Sequence, residues 1–202
     1  MVLQWCATNP FDVAMNEFFR ADDAKAAGFI SHLFTMGAST IFALYLVLRP
    51  STRSFQQVCI IVSSLLLSIG LNSLAKFGAR RQRPCFHYHR QSQSEAWNSP
   101  GEQFVSFYSG DATIGAVTVT TALVLLAMQG YSVRGPVAAW GVAIALCGGL
   151  LRVVADMHWM TDALLGSFSG LVCGVALPML VHRKRVVKDP NGYTSLQAQP
   201  ET

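Results

Sequence analysis

Residues 58–75 read VCIIVSSLLLSIGLNSLA, 18 consecutive residues without a charged side chain. A helix that crosses a bilayer needs roughly 20 mostly apolar residues, within a range of about 17–25. Working outward from this stretch, four more are comparable: 28–48, 112–128, 136–151 and 163–181. The stretch 136–151 is short, but it can extend through Arg152 if that side chain turns inward. The sequence therefore predicts an all-α, polytopic transmembrane helix bundle of about five spanning helices.

The composition of the chain agrees with a membrane protein. Of its 202 residues, 51% are hydrophobic and 13% are charged, about half the charged fraction of soluble domains. The net charge of +4 is modest, and no basic face alternates with aromatic residues, so nucleic-acid binding is not expected. The five cysteines form no CxxC pair and no zinc-like spacing. We therefore expect neither a metal nor another cofactor.

The segment 10–25 has a different pattern. Its apolar residues at helical spacing are Phe11, Met15, Phe18 and Phe19, and its polar residues between them are Asp12, Asn16, Glu17 and Arg20. This pattern is typical of an amphipathic helix in the membrane interface, and a helix packed on the bundle is the alternative. The predicted organisation is an N-terminal interfacial segment (1–27), a transmembrane domain (28–181) and a basic, then disordered, tail (182–202).

The basic residues beside the spans predict the orientation. Arg49, Arg53, Arg134 and the run 182–185 fall on one side, which the positive-inside rule assigns to the cytoplasm. The N-terminus and the loop 76–110 then lie on the opposite face. That loop contains Lys76, Arg80, Arg81, Arg83 and Arg90 against the rule, which indicates that these charges have a function.

Three polar clusters fall on this non-cytoplasmic face: 76–84, 108–111 and 152–162. Lys76 and Arg83 are seven residues apart, or roughly 10 Å of helical rise, so both can reach one anion. Ser109 and Gly110 offer a hydroxyl and an unhindered backbone N–H just before a helix, a natural anion site. These residue types favour phosphate as the ligand.

His158 and Asp162 are spaced as i and i+4, which on a helix puts them on one face. The carboxylate can then hold one ring nitrogen protonated and direct the other as a nucleophile. Each cluster alone also fits a plainer explanation: a membrane anchor, a helix cap or a structural ion pair. Their coincidence on one membrane face favours a catalytic phosphate site.

These residues also form motifs. Lys76-x6-Arg83-Pro84 and Arg152-x5-His158-x3-Asp162 resemble the outer motifs, K-x6-R-P and S-R-x5-H-x3-D, of the type 2 phosphatidic acid phosphatase family, which includes vanadium haloperoxidases. The resemblance covers residues 58–181, with Leu151 in place of the serine. It implies that His158 is a nucleophile that forms a phosphohistidine and that Asp162 orients it. It also implies a set of groups that hold the phosphoryl oxygens: Lys76, Arg83, Ser109, Gly110 and Arg152.

The middle motif departs from the family pattern P-S-G-H, because Asp111 follows Ser109 and Gly110 where the family has histidine. The family's histidine protonates the leaving group. Three explanations are open: Asp111 is itself the proton donor, the leaving group is a weak base as in a lipid diphosphate, or the donor is His87 or His89.

The sequence therefore predicts a metal-independent phosphohydrolase that acts on a lipid phosphate or lipid diphosphate in the membrane. One alternative is a lipid phosphotransferase that passes the phosphoryl group to an alcohol. Another is a degenerate family member that binds a phospholipid headgroup or a protein partner. The intact pair of His158 and Asp162 argues against the degenerate protein.

Overall fold

The computed structural model describes residues 9–20, 24–38, 40, 41, 44, 54–88, 102–130 and 135–187. These residues form helices and connecting turns without a strand, which confirms the all-α prediction. The helices are α1 (Pro10–Phe19), α2 (Ala24–His32), α3 (Ser54–Ala79), α4 (Pro84–His87), α5 (Gly110–Met128), α6 (Pro136–Val154) and α7 (Met160–Val187). A π-helical stretch, Leu33–Ala38, continues α2, and a 3₁₀ turn, Glu102–Phe104, precedes α5.

Three of the described helices, α3, α5 and α7, are long and apolar enough to cross a membrane. They contain the predicted spans 58–75, 112–128 and 163–181. The apolar part of α6, Gly141–Val154, is shorter, and it extends past Arg152, which is buried as the sequence analysis expected. Much of the predicted span 28–48 lies outside the described residues.

The basic stretch 182–185, which the sequence analysis placed in the tail, continues α7 as far as Val187. Residues 188–202 lie outside the described part of the chain.

Helix α5 lies at the centre of the bundle and packs against α3, α6 and α7. Its closest approach is to α7, along Gly166, Gly170 and Gly174. A Cβ atom on Gly170 would lie 2.5 Å from the carbonyl oxygen of Thr113, and one on Gly166 would lie 2.5 Å from that of Ser109. Such small residues at every fourth position let two helix backbones touch. This contact brings the first turns of α5 and α7 together.

The turn between α6 and α7 has the hydrogen bonds of a Schellman motif. The Met157 N–H donates to the Arg152 carbonyl at 3.2 Å, and the Asp156 N–H donates to the Val153 carbonyl at 2.9 Å. Asp156 has the left-handed conformation of this motif, with φ of 59°, and its carboxylate accepts a hydrogen bond from Asn16 at 2.9 Å. The turn keeps Arg152 and His158 at the same end of the bundle.

Helix α1 packs on α6 and α7. An interfacial helix would turn Asp12 and Asn16 toward water, but both are fully buried in protein. Met15 and Phe19 pack against the bundle, while Phe18 is 78% exposed. The geometry thus supports the alternative of a helix packed on the bundle, with its polar residues inward.

Candidate active site

The three polar clusters of the sequence meet at one end of the bundle. Ser109, the N-cap of α5, donates its backbone N–H to the Asp162 carbonyl at 3.0 Å. Arg83 donates to the Met157 carbonyl at 3.3 Å, next to His158. Lys76 lies beside Gly110, since a Cβ atom on that glycine would be 3.8 Å from the lysine Nζ. The predicted phosphate-binding residues therefore surround one site.

His158 is buried, and its ring is held in a defined orientation. Its Nδ1 lies 2.7 Å from the carbonyl oxygen of Ser106. Because a carbonyl oxygen can only accept a hydrogen bond, Nδ1 carries the proton. The Nε2 atom therefore keeps its lone pair, which is the form a nucleophile requires.

The surroundings of His158 keep its ring neutral. Burial lowers the pKa of His158 well below its usual range, and the positive charges of Arg83, Arg152 and Lys76 lower that pKa further. The hydrogen bond to Ser106 opposes these effects but does not outweigh them. A protonated imidazole has no lone pair and cannot act as a nucleophile. Burial and the neighbouring cations disfavour that form of His158.

Asp162 does not bind His158 directly, which corrects the pairing predicted from their spacing. Its carboxylate accepts hydrogen bonds from the Ser106 hydroxyl at 2.5 Å, from Arg81 at 2.6 Å and from the Trp159 backbone N–H at 3.2 Å. The i, i+4 argument fails because α7 begins at Met160, so His158 lies before the helix. Asp162 instead reaches His158 through Ser106, whose hydroxyl binds the carboxylate and whose carbonyl binds the ring.

Arg81 and Asp12 extend this support, and the sequence analysis assigned neither to the site. The buried Arg81 guanidinium contacts Asp162 and Asp12, each at 2.6 Å, and lies over the Trp159 ring at 5.5 Å. Asp12 also accepts from the Thr161 backbone N–H at 2.9 Å, which satisfies an otherwise unpaired donor in the first turn of α7. We call Asp12, Arg81, Ser106 and Asp162 the support network.

On the other side of the site, Arg152 links Asp111 to α2. Its Nε lies 2.7 Å from an Asp111 carboxylate oxygen, in an ion pair whose angle falls short of a hydrogen bond. Its Nη1 lies 3.2 Å from both Ser31 Oγ and His32 Nε2. The His32 Nδ1 lies 3.6 Å from the other Asp111 oxygen. Asp111 thus has a histidine neighbour that the sequence analysis missed.

A sequence signal for His32 did exist. It lies inside the predicted span 28–48, and an ionisable residue within a membrane segment marks a functional position by default. Of the two histidines proposed instead, His87 is exposed and packs edge-on against the Trp159 ring at 5.7 Å, and His89 lies outside the described residues.

The assembled groups suit phosphoryl transfer. Three cations and the first N–H groups of α5 can bind phosphoryl oxygens, and a neutral imidazole is directed among them. In the described ranges, no three His, Cys, Asp or Glu side chains are grouped to hold a metal ion.

Comparison with known proteins gives a family match and two similar structures. The family model described as PAP2 superfamily matches residues 57–185. The crystal structure of Aquifex aeolicus LpxE is similar with a TM-score of 0.63 and 18% identity, covering 89% of this chain and 99% of that chain. The structure of the first transmembrane PAP2 type phosphatidylglycerolphosphate phosphatase from Bacillus subtilis has a TM-score of 0.57 and 19% identity, covering 85% of each chain. No curated protein sequence matches significantly.

Proposed function

This chain belongs to the PAP2 superfamily, and on that premise we propose that it removes phosphate from a lipid phosphate or lipid diphosphate through a phosphohistidine intermediate. Three of its described helices are long and apolar enough to cross a membrane, and its family membership supports a phosphatase. The observation that carries the proposal is the orientation of His158. Its Nδ1 proton is bound by the Ser106 carbonyl, so Nε2 keeps its lone pair, and the positive charges of Arg83, Arg152 and Lys76 act on the same side chain.

In the first step, Lys76, Arg83 and Arg152 bind the phosphoryl oxygens, together with the Ser109 hydroxyl and the backbone N–H group of Gly110. The His158 Nε2 attacks phosphorus, so that a P–N bond forms while the P–O bond to the lipid breaks. Fixed charges at the oxygens stabilise the transition state, which is the main contribution that proteins make to phosphoryl transfer. Water then attacks the phosphohistidine and releases inorganic phosphate.

The support network explains why a buried aspartate is useful without touching the nucleophile. Negative charge on Asp162 polarises the Ser106 hydroxyl, and Ser106 holds the His158 Nδ1 proton with its carbonyl. The imidazole becomes positively charged as the P–N bond forms. An oriented acceptor on Nδ1 stabilises that charge and prevents the ring from turning.

The test is phosphate release by purified protein in detergent, with and without a metal chelator, on a lipid monophosphate and an isoprenoid diphosphate. Wild type should also form an acid-labile, base-stable phosphoenzyme from a ³²P-labelled substrate. His158→Gln should abolish both signals, whereas His87→Gln, a histidine on the exposed side of Trp159, should retain them. Full phosphate release by His158→Gln would refute the mechanism.

The same assay separates the alternative activities. A phosphotransferase would produce a phosphorylated lipid when a lipid alcohol acceptor is added, at the expense of free phosphate. A degenerate binding protein would form no phosphoenzyme with any substrate.

We also propose that the active site opens on the non-cytoplasmic face, as the one-sided placement of Arg49, Arg53, Arg134 and the run 182–185 indicates. Single cysteines introduced at Ser94 and Ser195 should be labelled by an impermeant reagent from opposite faces. Labelling of both from one face would overturn this orientation.

A further inference from the structure

The proposed reaction requires a proton donor. Cleavage of a phosphate monoester leaves the electron pair of the broken P–O bond on an alkoxide oxygen, a strong base that demands a proton as it departs. The His158 Nδ1 proton is bound to Ser106, and Lys76, Arg83 and Arg152 act as oxygen-binding cations. The Asp111 carboxylate is held by the buried Arg152, whose Nε lies 2.7 Å from one of its oxygens.

His32 lies next to Arg152, one of the predicted phosphate-binding residues. Its ring lies between the Asp111 carboxylate, 3.6 Å from Nδ1, and the Arg152 guanidinium, 3.2 Å from Nε2. The His32 side chain is 40% exposed, in contrast to 3% for Arg152 and 11% for Asp111. It is therefore the member of this group whose side chain is most accessible to another molecule.

We infer that His32 is the general acid of the reaction and that Asp111 is its positioning residue. This inference rests on the function proposed above. A carboxylate beside one ring nitrogen orients the opposite nitrogen, and imidazole is the side chain best suited to exchange protons near neutral pH. The donor thus comes from α2, about 80 positions before Asp111.

Arg152 couples this donor to the substrate. In the structure its Nη1 occupies the Nε2 side of His32. A bound phosphoryl oxygen would compete with His32 for this guanidinium group, and the His32 Nε2 could then carry the proton for the leaving oxygen. The Arg152 guanidinium would then contact the phosphoryl group and still lie next to His32, the proposed general acid.

The protons and electron pairs balance over the cycle. The His158 Nε2 lone pair forms the P–N bond, the P–O electron pair moves to the lipid oxygen, and the His32 imidazolium gives that oxygen its proton. Neutral His32 then takes a proton from the water that attacks the phosphohistidine. The P–N electron pair returns to His158, and His32 is protonated again.

The experiment compares two monoesters with different leaving groups. A short-chain phosphatidate releases a strongly basic alkoxide, whereas p-nitrophenyl phosphate releases a weakly basic phenolate that needs little protonation. His32→Gln should reduce kcat on the phosphatidate by about 10²–10⁴-fold, the usual contribution of a general acid. It should reduce kcat on p-nitrophenyl phosphate by less than about 10-fold, and His87→Gln should affect neither substrate.

Asp111→Asn tests the positioning residue on the same two substrates. It should reduce kcat on the phosphatidate less than His32→Gln does, and combining the two changes should add little, since both act on one proton transfer. Retained phosphoenzyme formation from p-nitrophenyl phosphate shows that the His32→Gln protein is folded. If that variant is unfolded, His32→Asn takes its place in the same comparison.

Equal losses on both substrates in a folded His32 variant, or no loss on either, would overturn the inference. The inference would also be overturned if the wild type cleaved only diphosphates and His32→Gln cleaved them at the same rate. The leaving group would then be a weak base that needs no general acid. The proposed function fails by a different result, namely no phosphoenzyme and no phosphate release by wild type.

Discussion

The two sides of the active site differ in how firmly they are held. On the nucleophile side, His158 and the support network are almost fully buried, and the hydrogen bonds that join them to one another are between 2.5 and 2.7 Å long. On the leaving-group side, His32 is partly exposed, and its nearest Asp111 oxygen is 3.6 Å away. A nucleophile gains from being oriented before the substrate arrives, whereas a proton donor must reach the leaving oxygen and exchange with water.

The largest effect is expected from breaking the support network at Arg81. Arg81→Met removes the cation between two buried carboxylates, Asp12 and Asp162, and an unpaired buried charge costs about 3–5 kcal/mol. The free energy of unfolding in detergent should fall by that amount, and kcat should fall equally on both monoesters. Arg20→Ala is the control: this arginine is 39% exposed and lies 4.0 Å from Asp156, so its loss should cost less than about 1 kcal/mol. If Arg81→Met changed the free energy of unfolding and kcat only slightly, the nucleophile side would not be tightly held.

A smaller loss is expected at Ser106, because the backbone carbonyl that binds His158 remains. Ser106→Ala deletes the hydroxyl that donates to Asp162, a hydrogen bond to a charged group worth about 1.5–3 kcal/mol. The kcat values should fall by similar factors for both leaving groups, with KM nearly unchanged. Ser169→Ala, which removes a bond between two neutral hydroxyls, should cost less. A loss confined to the phosphatidate would place Ser106 on the leaving-group side instead.

The contact of α5 with α7 supports both sides at once. Gly170→Ala places a methyl group within 2.5 Å of the Thr113 carbonyl, so the helices must separate, at a cost of about 1–3 kcal/mol. Thermal unfolding and kcat on both monoesters should report this loss. Gly78→Ala on α3 is the matched control, since a Cβ atom there meets nothing within 4 Å. Equal stability of the two variants would show that the glycines do not set the helix distance.

The smallest expected effect is on the pH dependence of stability. Burial lowers the pKa of His158 in the folded protein, so below about pH 6.5 the unfolded chain binds a proton there that the folded chain does not. The His158 contribution therefore destabilises the fold as pH falls, by up to about 1.4 kcal/mol per pH unit. Unfolding of wild type and His158→Gln between pH 7 and 5 should show the wild type losing more stability. Parallel curves would mean that the pKa of His158 is the same in the folded and the unfolded chain.

The sequence was informative where a feature depends on residues that are close together in the chain. The outer motifs placed Lys76, Arg83, Arg152 and His158 at one end of the bundle because each lies at the end of an apolar run. The extension of α6 through Arg152 was also predictable, since a charged residue near the end of a span turns inward when a partner is present.

The support network could not be predicted in the same way. Asp12 lies 69 residues from Arg81 and 149 from Thr161, and no pattern in one sequence links them. The amphipathic pattern of α1 distinguishes a polar face from an apolar face, but it does not say which face contacts the rest of the protein. The polar face, with Asp12 and Asn16, was therefore assigned to water. The His158 and Asp162 pairing failed for a local reason, namely that the helix begins two residues later than their spacing assumes.

The contact between Asp12 and the first turn of α7 also bears on how the enzyme is made. The ribosome completes α1 long before Thr161, its partner 149 residues downstream, has been synthesised. A nascent chain that has inserted its earlier helices therefore still has an Asp12 carboxylate waiting for its ligand, and a His158 not yet in place. Catalytic competence is thus acquired in the last stage of biogenesis, when α7 enters the bilayer and α1 docks onto it. Chains interrupted before that stage can occupy the membrane without an assembled candidate site.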